Sequence, residues 1–176
     1  MAVAQFNLET GQRAERKLLI TVAEWTEEST QVREILGTRT EDSSIEYNPD
    51  IETTTDILGI NYTDLNRTQP QQDFDPYLIL GGSKLGAKLD DIRRRNALSE
   101  LNQFTVYIIT AYVGSSSNGY RTEKHTGCSI IYNSLGGDSN VNFPISVYLS
   151  NNITNGTVNK LSDDFTFTAD TPVGNT

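Results

Sequence analysis

The sequence predicts a mainly β fold, a β-sandwich or partly closed barrel with one α-helix flanking it. Three observations carry this. Apolar residues recur with period two in short runs rich in Thr, Ile, Val, Tyr and Phe. Gly, Asn, Asp and Pro punctuate those runs at turn positions. Helical spacing of apolar residues occurs over one stretch only. The length of 176 residues fits a single domain spanning 1–176, large enough to bury a proper core.

The elements follow in chain order. Lys17 to Trp25 is the first strand, with Leu18, Ile20 and Val22 alternating with Leu19 and Thr21, so both faces are candidates for burial. Glu24 to Arg33 is polar and reads as a loop or short turn. Ile35 to Gly37 leads into a hairpin whose strands are Ser44–Tyr47 and Glu52–Asn61, with Asn48-Pro49-Asp50 as the turn between them. Leu65 to Asp75 reads as a polar connection. Ser83 is the expected N-cap of a helix over Lys84–Leu101, with Leu85, Leu89 and Ile92 on one face, Leu98 and Leu101 continuing it, and Asn96 a possible break. Phe104–Val113, Tyr120–Asn133, Asn140–Ser150 (broken by Pro144) and a short run with Phe165 and Phe167 on one face complete six or seven strands. The end, 170–176, reads as a frayed tail.

Composition excludes several function classes. A net charge of −9 and a pI near 4.5 argue against ordinary phosphate-backbone binding, which needs clustered Lys and Arg. Cys128 is the only cysteine, so no intrachain disulfide is possible, and its strand-like surroundings favour a buried inert thiol. No apolar run reaches the roughly 18 residues of a membrane span, and Met1 to Phe6 is too short and uncharged to read as a signal peptide. Asn-x-Thr occurs at Asn61, Asn66, Asn152 and Asn155 and matters only in a secreted eukaryotic chain.

Catalytic and cofactor chemistry is not in evidence. His125 is the only histidine, which rules out a two-histidine metal site. Glu123 and His125 share a strand face and form a conceivable acid–base pair, against the plainer reading of a surface strand position. Gly81-Gly82-Ser83-Lys84 superficially resembles an anion cradle but reads better as a helix start. Asp90-Asp91 reads as a solvated helix face in preference to a cation site. The expectation is a protein without enzymatic activity, cofactor or metal.

Charge is distributed unevenly. Glu41, Asp42, Glu46, Asp50, Glu52, Asp56 and Asp64 fall between Glu41 and Asn66 with no basic residue among them. Like charges on neighbouring strands repel, so the run does not serve the folding of its own hairpin. It serves solubility, or it forms a surface that repels an anion such as nucleic acid. The basic residues Lys84, Lys88, Arg93, Arg94 and Arg95 gather on the helix, either as a solvated face or as partners for acids of a second subunit.

Three stretches resemble a known family. They are Asp75-Pro-Tyr-Leu-Ile-Leu-Gly-Gly-Ser-Lys-Leu-Gly-Ala-Lys-Leu89 and the rest of the helix on to Phe104, Thr40 to Gly59, and Gly156 to Thr168. Together they are similar to the major tail tube proteins of long-tailed bacteriophages of Gram-positive hosts, over most of the chain from Thr40 to Thr168. The resemblance implies a virion protein, assembled in the bacterial cytoplasm, whose hexameric rings stack into a tube. The inner strands of each ring would pool into one barrel around a lumen. Partners would be other copies, the tape measure and terminator proteins, and DNA that passes without tight binding; no membrane is involved. Glu41, Asp42, Glu46, Glu52 and Asp56 are the expected lumen lining, with Ile45 and Tyr47 turned into the core. Asn48, Pro49, Asp50 and Ile51 are the expected contact between rings or subunits. Arg93, Arg94 and Arg95 are expected at a subunit contact. A tail terminator, a sheathed-tail inner tube or a non-phage adhesin module are the alternatives.

Overall fold

The computed structural model describes residues 5–171. Eleven strands and one α-helix lie within them: β1 Leu19–Glu27, β2 Thr30–Ile35, β3 Ile45–Glu46, β4 Pro49–Thr55, β5 Asn61–Thr68, β6 Gln71–Phe74, α1 Lys84–Arg95, β7 Phe104–Ser115, β8 Gly119–Tyr132, β9 Ile145–Tyr148, β10 Ile153–Val158 and β11 Phe167–Ala169. Nine strands form one antiparallel sheet with the path β2-β1-β7-β8-β9-β6-β3, and β10 and β11 branch off β8. The sheet does not close into a barrel; with α1 laid against it, the architecture is a sandwich with one helix.

The branch point explains the layering. β8 pairs with β10 over Tyr120–His125 and with β9 over Ser129–Tyr132, on the side away from β7. Between these segments Gly127 takes φ +76°, and the register skips it, because Phe104 pairs with Cys128 and Thr105 with Thr126. One extra residue in the left-handed region is a bulge that bends its strand, which lets β8 pass from one layer to the next.

Two apolar clusters occupy opposite faces of β1 and β7. One takes Ala23, Trp25, Phe104, Val106 and Ile108, with Ile130 of β8, Ile145 and Val147 of β9, and Leu85, Leu89 and Ile92 of α1. The other takes Val22, Tyr107 and Ile109 under Val158 and Phe165. Val22 and Ala23 are both fully buried, so β1 is covered on both faces, as its apolar alternation predicted. Phe165 and Phe167 both meet the Tyr107 ring edge-on, at 5.0 and 5.6 Å between centroids.

Several boundaries differ from the sequence reading. Glu24–Arg33 is not a loop: β1 and β2 pair through it, turning at Glu28 and Ser29, both with positive φ. Its polarity hid a buried pair, for Glu24 accepts from Arg33 Nε at 2.5 Å with Glu24 almost wholly buried. Ser44–Tyr47 does not pair with Glu52–Asn61. β3 joins β6, while β4 and β5 form a separate two-stranded sheet that turns at Asp56–Ile60. Asn48, with φ +41°, marks a kink between β3 and β4 instead of a hairpin turn. The expected connection Leu65–Asp75 holds the end of β5 and all of β6, where buried Gln72 accepts from Thr21 Oγ1 at 2.7 Å and donates to Ser43 Oγ at 3.0 Å.

The helix stops at Arg95 because Asn96 adopts the left-handed conformation of a C-cap, and Leu98–Asn102 continues as a 3-10 turn. Only Ile145–Tyr148 of the Asn140–Ser150 run is strand, since Pro144 cannot donate to a ladder. The last strand of the sequence reading is two, β10 and β11. Asp170 N–H donates to Asn155 O at 2.9 Å. The remainder of the expected frayed end, 172–176, and Met1–Ala4 of the opening segment lie outside the described residues.

Candidate assembly surface

The β4–β5 ribbon is an arm. Every residue of β4 is exposed, and so is every residue of β5 except Thr68. Its register sorts its side chains. One face pairs Ile51 with Leu65, Thr53 with Thr63 and Thr55 with Asn61. The other pairs Asp50 with Arg67, Glu52 with Asp64 and Thr54 with Tyr62. Ile51 and Leu65 therefore form an exposed apolar pair, and Glu52 and Asp64 an exposed pair of like charges. The like-charged pair destabilises the ribbon, and an isolated two-stranded ribbon is marginal in water at best.

The tip of the arm is apolar and ordered. Ile57 is fully exposed, Leu58 mostly so, and Ile60 half-exposed. Asp56 fastens the turn beneath them. Its Oδ1 accepts from Leu58 N at 2.8 Å and Ile60 N at 2.9 Å, and its Oδ2 accepts from Tyr62 Oη at 3.2 Å. The Ile60 N–H, helped by Leu58 N–H and Tyr62 Oη, holds the Asp56 carboxyl below its ordinary range against the opposing effect of desolvation. Gly59 takes φ +79° with open space around it, the backbone such a turn requires. The sequence reading ran Glu52–Asn61 on as strand and so missed Ile57, Leu58 and Ile60; the signal was Asp56 followed three residues later by Gly59.

The residues expected at the lumen fall on two elements. Glu41 and Asp42 are exposed in the loop before β3, and Glu46 is exposed on β3, opposite Gln71. Glu52 and Asp56 lie on the arm, where Asp56 is engaged with its turn. Ile45 packs against the core as expected, but Tyr47 is exposed, because β3 ends at Glu46 and the chain departs into the arm. Asn48, Pro49, Asp50 and Ile51 are all exposed, at the kink and the base of the arm.

Two of the three helix arginines have partners within the chain. Arg93 bonds Asp90 at 2.7 Å, and Arg95 bonds Asp91 at 2.7 Å and Glu100 at 2.9 Å. Lys88 completes a clamp on Glu100 at 2.7 Å. Arg95 and then Lys88 lower the Glu100 carboxyl to about 2. Arg94 is exposed and makes no ion pair among the described residues. The Gly81–Lys84 segment is a helix start: Ser83 Oγ accepts from Gly86 N, while Glu34 of β2 accepts from Lys84 N at 2.5 Å and Leu85 N at 2.9 Å. Those donors are taken, so no anion cradle is open there.

His125 is buried, which corrects its reading as a surface position. Its Nδ1 lies 2.8 Å from Ser150 O, and a carbonyl only accepts, so Nδ1 carries a proton. Nε2 sits 3.6 Å from Glu123 Oε2. Val106 and Ile153 are the register partners of His125 on the neighbouring strands, and Glu123 stays partly exposed at the edge of the pair. Cys128 is buried beside it, and burial raises its thiol pKa. No described helix is long and apolar enough to cross a membrane. Among the described residues no three His, Cys, Asp or Glu side chains gather to hold a metal ion.

No protein-family model matches the chain, and no curated protein matches its sequence. The fold is similar to a chain in the cryo-EM structure of the anti-feeding prophage (AFP) baseplate, 6-fold symmetrised, at 12% identity and a TM-score of 0.44, over 88% of this chain and 100% of that one. The likeness is distant.

Proposed function

We propose that this protein is a structural subunit that assembles with further copies of itself, and that it builds the tail tube of a long-tailed bacteriophage from stacked hexameric rings. The observation that carries the assembly reading is the arm, a free-standing ribbon with an ordered apolar tip. An exposed Ile-Leu-x-Ile cluster costs free energy in water that only burial recovers. The resemblance of Thr40–Gly59, Asp75–Phe104 and Gly156–Thr168 to tail tube proteins supports the finer reading. In such a tube the acidic run serves the conduit. A wall without Lys or Arg gains no counterion-release affinity for DNA at each contact, so DNA slides. Six copies around a bore multiply that field.

Negative-stain microscopy of the purified full chain tests this. Rings or tubes are expected, and Leu58→Asp is expected to abolish them while leaving the circular dichroism spectrum unchanged. A monodisperse monomer at every concentration and salt tried would overturn the assembly reading. Assembly without a central channel would overturn the tube.

A further inference from the structure

The body carries a groove of about 460 Å³ walled by Ile79 and Leu80 before α1, by Ala87 and Asp90 on α1, and by Leu135 and Val141 on the loop leading to β9, with Phe143 as its floor. That volume holds roughly fifteen waters at about 30 Å³ each. Ile79, Leu135 and Val141 stand about half-exposed around it. Water held against such a lining is released favourably when apolar groups replace it.

We infer that this groove receives the arm tip of a second copy, Ile57, Leu58 and Ile60 of one chain seating against Ala87, Val141 and Phe143 of another. The inference rests on the self-assembly reading and names the receiving surface. Two properties of the chain select its own arm as the occupant. The first is shape and polarity: one chain presents both an ordered apolar knob and an apolar hollow, and the knob stays in solvent on its own chain. The second is charge. The arm from Pro49 to Thr68 holds Asp50, Glu52, Asp56 and Asp64 against Arg67, a net of −3. Helix α1, one wall of the groove, holds five basic side chains against two acidic, a net of +3; the one charged residue lining the groove itself, Asp90, is neutralised by Arg93 at 2.7 Å. Most of those cations have partners in the chain; Arg94 has none among the described residues and faces no such competition. Complementary potentials of this kind fix register and exclude wrong partners. A knob and a hollow at different places on one surface make a heterologous contact, which closes into rings or runs on as filaments.

Two single-cysteine variants of the full chain test it, Leu58→Cys and Ala87→Cys. Both positions are exposed, and the native Cys128 is buried and silent. The variants are mixed, oxidised with a short bis-maleimide control alongside, and read by mass spectrometry. The Leu58–Ala87 dimer of two different chains is expected to form. The control mixture of Leu58→Cys with Lys17→Cys is expected to yield none, and adding Val141→Asp to the Ala87→Cys chain is expected to abolish capture. Equal capture at both positions, capture only at Lys17, or no capture overturns the inference. If Leu58→Asp still blocks assembly while Leu58 and Ala87 never cross-link, the groove is wrong and the assembly reading stands. If the unmodified chain never assembles and no cross-link forms, both fall.

Discussion

Arg33 shows how one side chain ties three elements. Its guanidinium bonds Glu24 on β1, donates to Phe165 O at 2.6 Å, and lies 4.3 Å from the Phe165 ring centroid. Tyr107 Oη donates to the same Glu24 carboxylate at 3.2 Å, and burial with the Glu24 charge pushes its phenol up to about 12. Removing the arginine strands a buried carboxylate, so Arg33→Ala is expected to cost about 3–5 kcal/mol in a urea titration. A loss under about 1 kcal/mol would show that Glu24 is not held as a buried charge. Asp56 works differently. It is partly covered by its own turn, and its hydrogen bonds organise that turn. Asp56→Ala is expected to speed amide exchange at Leu58 and Ile60 and to leave the global unfolding midpoint where it was. Its folded pKa is depressed, so the turn order it supplies is complete above 3.8 and is lost as pH falls through the folded value.

At the scale of the element, α1 is anchored by its apolar face and pinned at its ends. Leu89 is fully buried, so Leu89→Ala is expected to cost about 2–5 kcal/mol, read from chemical denaturation. The C-terminal pin is Glu100, gripped by Arg95 and Lys88. A carboxyl lowered from 4.5 to about 2 contributes fully above 4.5 and ceases to contribute as pH falls toward 2. Glu100→Gln is therefore expected to flatten the acid limb of the stability profile over that window, measured by thermal unfolding at stepped pH. An unchanged acid limb would place the acid sensitivity elsewhere. Arg93 and Arg95 looked available to a neighbour because i,i+3 and i,i+4 spacing alone does not say which acids the fold brings beside them. Asp90 and Asp91 do lie within the helix, but Glu100 arrives only through the 3-10 turn at Leu98–Asn102.

At the scale of the whole molecule, a covered body carries an uncovered arm, and the acidic run is divided between them. Glu46 sits at the edge of the body and Glu52 opposite Asp64 on the arm. Under the tail-tube reading, replacing Glu46 and Glu52 by Lys is expected to leave rings visible in negative stain and to slow DNA ejection, most strongly at low salt where screening is weak. Glu52→Lys also turns a like-charged cross-strand pair into an opposite-charged one, so the ribbon gains about 0.2–1 kcal/mol in its own right. Ejection indifferent to salt and to both substitutions would assign the acidic run to solubility.

The sequence by itself determined the fold class, the Ser83 cap, the buried face Leu85-Leu89-Ile92 and the doubly covered β1, because these depend on local period and local hydrogen bonding. It also marked the acidic run, most of which the structure leaves exposed. Tertiary structure alone decided where that stretch turns. The Asn48-Pro49-Asp50 signal and the Asp56–Ile60 signal are both valid turn chemistry, and only strand partnership separates a kink from a hairpin tip: β3 finds β6, and β4 finds β5. Tertiary structure also made strand of the polar segments around Glu24 and Gln72, where polar partners distant in sequence, such as Thr21 for Gln72, offset the cost of burial. Periodicity reads a side chain's preference for water. It does not read a partner fifty residues away that removes the need for it.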